Sequence, residues 1–222
     1  MESILFVGNS YTYYNDLPKL FEALARENRR EIRVDSVTKG ARKLSEFRKS
    51  EDPYTEKLAA LLCAHHYAAT FLQEQSILPL NGEATFLLGV RHLCEMLDGK
   101  SDRVILYQTW ARKAGHKTLV QNGWTVDGMA CGLRDAYRRV ADAVGGEISP
   151  VGEAFAAFVA KTPSLELYAE DGTHPSRLGS ALAAVVHYRC VFRTMPDTYT
   201  SLTLSENELD AVLYAAGEVY KK

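Results

Sequence analysis

Ser3-Ile4-Leu5-Phe6-Val7-Gly8-Asn9-Ser10-Tyr11-Thr12, close to the amino terminus, is the stretch that decides the fold. Ile4, Leu5, Phe6 and Val7 form an uninterrupted apolar run of β-forming residues, the pattern of a strand buried on both faces. Gly8-Asn9 ends the run as a turn-making pair, and Ser10 comes next. Asn15-Asp16-Leu17-Pro18 then announces a helix, with Asp16 as its cap and Pro18 in a first turn that needs no amide donor there. Ser10 is therefore expected in the loop leaving the carboxyl end of a buried strand. Open parallel α/β sheets bind their ligands just outside those strand ends.

Working outward, Leu17, Leu20, Phe21 and Leu24 fall on one helical stripe. Strands are expected at Glu31 to Val37, Tyr67 to Leu72, Arg103 to Tyr107 and Glu147 to Val151. Helical patterns separate them: one begins at Asp52-Pro53, one carries Phe86, Val90, Leu93 and Leu97, and one carries Met129, Leu133, Tyr137 and Val140. Gly40 opens a polar loop running to about Asp52, and a long loop runs from Ala111 to Trp124. After the last strand come three more helical patterns, the final one with Ser205 and Glu208 at capping-box spacing. Alternating strands and helices imply a parallel sheet with helices on both faces. Right-handed crossovers then favour a flavodoxin-like three-layer α/β sandwich, five strands in the order 2-1-3-4-5, as a single domain over 1–222. That order puts the first strand at the switch point and turns Ser10 toward the crevice.

The chain has 26 basic and 28 acidic residues, a net charge of −2, which gives no electrostatic case for nucleic acid or an anionic membrane as partner. No hydrophobic run approaches the roughly 20 residues of a membrane span. The chain starts directly on its first strand, so the expectation is a cytoplasmic protein without a leader. Its four cysteines lie far apart in apolar patterns and are expected as buried free thiols. His65-His66 is the nearest approach to clustered metal ligands, and two histidines near a helix end explain it better.

A serine hydroxyl is a weak nucleophile at neutral pH and needs a neighbouring base that is itself held by an acceptor. Asp171-Gly172-Thr173-His174 can supply both. Across this three-residue step the carboxylate reaches Nδ1–H of the imidazole, fixes its tautomer, and leaves Nε2 to take a proton from Ser10. Gly172 permits an unusual backbone angle in the turn, and Pro175 stiffens the residues after it. The G-x-S-x-G elbow of the α/β-hydrolases is absent.

Gly8-Asn9-Ser10-Tyr11 behind the first strand, with Asp171-x-x-His174 late in the chain, resembles the SGNH/GDSL hydrolase superfamily, in block order from Ile4 to about Phe192. The resemblance implies Ser10 as nucleophile, Asp171 and His174 as its partners, and a backbone N–H of Gly40 in an oxyanion hole with that of Ser10. The family's third block, Gly-x-Asn-Asp, is replaced by Gln73-Glu74-Gln75-Ser76. By position Gln75 stands where the family has its oxyanion asparagine, with Gln73 the competing candidate. Asn9, Tyr11, Gln73 and Trp110 are candidate pocket-lining residues. The implied activity is cleavage of an ester without metal or organic cofactor, and the polar loop after Gly40 with the tyrosines after Ser10 favours a small polar ester such as a carbohydrate acetyl ester. A non-catalytic binding module on the same fold and an acyltransferase are the alternatives, and the oligomeric state is not legible.

Overall fold

A computed structural model describes residues 1–221. Five strands, β1 (Glu2–Gly8), β2 (Ile32–Thr38), β3 (Ala69–Leu72), β4 (Val104–Tyr107) and β5 (Glu147–Ser149), form one parallel sheet in the order 2-1-3-4-5. The first three helices are α1 (Ser10–Tyr13), α2 (Leu17–Glu27) and α3 (Pro53–Ala64), followed by α4 (Leu78–Asn81), α5 (Glu83–Leu97) and α6 (Lys117–Asn122). The rest are α7 (Val126–Val144), α8 (Val151–Lys161), α9 (Arg177–Phe192) and α10 (Glu206–Glu218).

β1 sits between β2 and β3, with Phe6 opposite Ser36 on one side and Phe71 on the other. Its alternate residues serve two cores, as a period of two dictates. Ile4 and Phe6 join the cluster built with α2, α8, α9 and α10, whereas Leu5 and Val7 join that of α3, α5 and α7. Phe6 stacks on Phe71 with centroids 4.6 Å apart and meets Phe21 of α2 edge-on. Almost every residue of α9 is buried, because sheet, α2, α8 and α10 enclose it. A helix apolar on all sides has no other place in a globular domain.

The structure departs from expectation locally. Ser10 begins a one-turn helix instead of sitting in open loop. Asp16 adopts φ 56° and its side chain caps nothing; with Asn15 at φ 52°, this left-handed backbone turns the chain out of a 3-10 turn over Tyr14–Asp16 and into α2. β3 starts at Ala69, two residues later than expected, and Tyr67 makes only an isolated bridge to Ser101. β5 stops at Ser149, because Pro150 cannot donate to the ladder and precedes α8. The segment after Gly40 is not all polar loop: a 3-10 turn over Leu44–Arg48 buries Leu44 and Phe47 against α5. The 111–124 loop contains α6. Of the cysteines, only Cys190 is buried, while Cys63 and Cys131 are exposed, because they fall on the outer sides of α3 and α7. Asp52 does cap α3, accepting from Tyr54 and Thr55, and Ser205 and Glu208 form the capping box of α10. Among the described residues no helix is long and apolar enough to cross a membrane, and no three His, Cys, Asp or Glu side chains gather as metal ligands.

Candidate active site

The β1–α1 turn is held from several directions. A Cβ on Gly8 would lie 2.6 Å from Thr12 Oγ1 and 2.7 Å from Gln73 Oε1, so only glycine fits there. Asn9 is buried. Its Oδ1 accepts from Tyr11 N at 3.2 Å as cap of α1, and its Nδ2 donates to the Arg42 carbonyl at 3.0 Å. Asn9 N and Thr12 Oγ1 each donate to Gln73 Oε1 at 2.9 Å. Ser10, at the first helical position, is thus fixed by residues of the β2 and β3 loops.

The second segment arrives 164 positions later. His174 Nε2 lies 2.8 Å from Ser10 Oγ, and His174 Nδ1 lies 2.5 Å from Asp171 Oδ2. Asp171 Oδ1 accepts from Thr173 N and His174 N, each at 2.9 Å, and Gly172 takes φ +65° to close this turn. Burial would raise the Asp171 carboxyl. Hydrogen bonds from the imidazole and from the two backbone N–H groups outweigh that effect and hold it below the usual carboxylate range. An ionised carboxylate can only accept, so Nδ1 carries the proton and Nε2 faces the Ser10 hydroxyl as acceptor.

Aromatic rings frame the imidazole. Tyr14 stacks on His174 with centroids 4.1 Å apart, and Tyr11 meets it edge-on at 5.4 Å. Trp110 Nε1 donates to the Thr173 carbonyl at 3.1 Å. Trp110 itself is sandwiched between Tyr11 and Phe155 and is buried. It supports the site from behind and does not line the cleft, contrary to the sequence expectation. Gln73 is corrected in the same way: its carbonyl oxygen is used by Asn9 and Thr12, its amide donates to the Glu74 carbonyl, and it is fully buried.

A cleft of about 180 Å³ opens above Ser10 and His174, with Ala41, Gln75, Ser76 and Arg112 in its walls. Asn9 and Tyr11 also line it. Gln75 Oε1 accepts from Ile77 N at 3.2 Å and Leu78 N at 3.0 Å, which spends the carbonyl end on α4. Its NH₂ has no acceptor among the described residues, and neither do the backbone N–H groups of Ser10 and Gly40. Gly40 is exposed, and it is its neighbour Ala41, at φ +59°, that contributes to the wall.

Glu74 is fully buried beneath these loops. Its carboxylate accepts from Leu44 N at 3.2 Å and from Gln75 N at 2.5 Å, tying the β2 loop to the β3 loop. Burial pushes the carboxyl up to about 8 against the pull of those two N–H groups. Sequence reasoning missed Tyr14 as the stacking partner of the imidazole, and Ser76 and Arg112 as parts of the wall. Their signal was position alone, since Ser76 and Arg112 each come after the carboxyl end of a parallel strand.

No family model matches the chain, and no curated protein matches it. Solved structures do. A candidate SGNH hydrolase from Slackia heliotrinireducens superposes with a TM-score of 0.75 at 28% identity, over 85% of this chain and 97% of its own. A DUF4886 family protein from Bacteroides uniformis gives a TM-score of 0.75 at 16% identity, over 99% of this chain and 95% of that one. A candidate GDSL-like lipase from Parabacteroides merdae gives 0.65 at 14% identity, over 86% and 94%.

Proposed function

This chain belongs to the SGNH/GDSL hydrolase superfamily, and on that premise we propose that it is a serine esterase using Ser10, His174 and Asp171. The observation that carries the proposal is the continuous hydrogen-bonded chain from Ser10 Oγ through His174 to Asp171 at the carboxyl end of β1.

In this reading Ser10 Oγ attacks the ester carbonyl carbon while its proton passes to His174 Nε2. The carbonyl π electrons move onto oxygen, and that oxyanion is met by the Ser10 and Gly40 backbone N–H groups and the Gln75 amide. Collapse re-forms the carbonyl and breaks the bond to the alcohol oxygen, which leaves with the proton from His174. Water then attacks the acyl-serine, giving a proton to His174. The second tetrahedral species releases the acid as Ser10 recovers its proton. Asp171 stays ionised throughout and holds the imidazolium that forms twice.

The small cleft, with Asn9, Gln75, Ser76 and Arg112 among its lining residues, supports a short acyl group on a polar alcohol, such as a carbohydrate acetyl ester, over a long fatty chain. Purified protein is expected to hydrolyse p-nitrophenyl acetate and to be labelled by a fluorophosphonate. Ser10→Ala should lose both while keeping its circular dichroism spectrum. Unlabelled wild type would favour a binding module in place of an enzyme, and release of acyl groups only when a second alcohol is supplied would favour an acyltransferase.

A further inference from the structure

Arg112 is the feature of the cleft that the esterase chemistry leaves unused. It lies five residues beyond β4 and is 7% exposed, yet it helps form the cleft wall. Nη2 donates to Ser76 Oγ at 2.7 Å, while Nε and Nη1 have no partner among the described residues. Among the described residues no carboxylate lies within ion-pair distance of it. Asp171 is the nearest acidic influence, and both of its oxygens are occupied by His174 and the two backbone N–H groups. The neighbouring cation Lys113 is neutralised by Glu166, and His116 spends Nδ1 on the Thr118 N–H. Tyr11 offers Arg112 only a ring face, 5.7 Å away.

A buried guanidinium with one hydrogen bond and no counter-charge is an expensive arrangement unless something else supplies the anion. Burial lowers the group to about 10, so it remains charged at neutral pH. Surrounded by protein, its attraction for an anion in the cleft is weakly screened. Ser76 reinforces it: the hydroxyl accepts from Arg112 and keeps its own O–H free to donate into the same space. Guanidinium and hydroxyl together make a receptor for a compact oxyanion.

We infer that the cleft selects esters bearing a second, negatively charged oxygen group, a carboxylate or a phosphate, which seats against Arg112 and Ser76 while the ester carbonyl lies at Ser10. This deepens the esterase reading and rests on it for the placement of the reacting bond. It makes Arg112 a specificity-determining residue.

The test compares kcat/KM for matched pairs: p-nitrophenyl hemisuccinate against its methyl ester for charge on the acyl side, and p-acetoxybenzoate against its methyl ester for charge on the alcohol side. A p-acetoxyphenyl phosphate arm separates phosphate from carboxylate. Wild type should favour the charged member of at least one pair by about ten- to a hundredfold, the range of a hydrogen bond to a charged group. Arg112→Met should bring that ratio toward one, and Arg112→Lys and Ser76→Ala should reduce it. Should Arg112→Met fail to fold, the two milder variants decide: a reduced ratio supports the inference and an undiminished one in both overturns it. Wild type indifferent to charge in every pair overturns the inference while the esterase reading stands. If no ester is turned over, the esterase reading falls, and calorimetry with p-acetoxybenzoate decides the rest. Binding that Arg112→Met abolishes supports the anion site, and absence of binding overturns it.

Discussion

The Tyr14 ring lies almost flat on the His174 imidazole, with centroids 4.1 Å apart and planes 11° from parallel. Two residues in left-handed backbone come directly after Tyr14, Asn15 at φ 52° and Asp16 at φ 56°. Asn15 Nδ2 donates to the Pro175 carbonyl at 3.0 Å and to Ser180 Oγ at 2.9 Å, joining the serine segment to the histidine segment. The strained corner therefore does two things: it aims Tyr14 beneath the imidazole and it stitches together segments that are far apart in sequence.

Stacking holds the imidazole plane while Nε2 exchanges a proton with Ser10. Tyr14→Leu should lower kcat on p-nitrophenyl acetate about two- to tenfold, the size of an aromatic pair interaction, with little change in KM. Tyr14→Phe keeps the ring and should stay near wild type. Equal kcat for Tyr14→Leu and wild type would remove the positioning role.

The two glutamines of the β3 loop should separate cleanly. Gln75→Ala deletes an amide facing the cleft and should reduce kcat by about a hundred- to a thousandfold, as loss of one oxyanion donor does elsewhere. It also removes the acceptor of the Ile77 and Leu78 N–H groups at the start of α4, so it should cost about 0.5–2 kcal/mol of stability as well. Gln73→Ala leaves Asn9 N–H and Thr12 Oγ1 without their acceptor, so it should cost about 1–3 kcal/mol of stability in urea melts. If Gln73→Ala proved stable and Gln75→Ala fully active, this division of labour would be wrong.

Glu74 gives a pH signature. Its carboxyl is raised to about 8 in the fold and is ordinary when unfolded. Between about pH 5 and 8 the native state thus keeps a proton that the unfolded state has lost. The contribution of Glu74 to stability therefore falls as pH rises through this window, by at most about 1.4 kcal/mol per pH unit. Glu74→Gln cannot titrate, and unfolding free energies measured across pH 5–8 should lose this component. Parallel curves for the two proteins would refute it.

His187 should act in the opposite direction. It is fully buried among Phe6, Phe71 and Tyr107, with Nδ1 2.8 Å from Ser149 Oγ and Nε2 without a partner among the described residues. Burial lowers its pKa to about 3. From about pH 6.5 downward the unfolded chain takes up a proton that the native state refuses, so stability is lost as pH falls toward 3. The full loss is on the order of 4–5 kcal/mol. His187→Leu should flatten this acid limb in denaturant titrations, whatever its effect at neutral pH.

Much of the fold was legible because periodicity is local. The run Ile4–Val7 could only be a doubly buried strand, and strands alternating with amphipathic helices left few topologies. The serine and the Asp171-x-x-His174 turn were legible for the same reason, since a carboxylate three residues before an imidazole can reach it without help from the rest of the chain. What the sequence could not decide was anything set by which loops meet. Gln73 and Gln75 are chemically identical, and only the packing of Asn9 and Thr12 against one of them leaves the other facing the cleft. Trp110 could be read from the sequence as a pocket-lining residue, and only the closing of Tyr11 and Phe155 on its two faces decides that it packs behind the site. Nothing in the sequence set Arg112 apart, and its lack of an ion-pair partner among the described residues is a property of the folded neighbourhood. Local pattern fixes where a chain can bend and bury, whereas partnership between residues separated by many positions exists only once the sheet has brought its strand ends together.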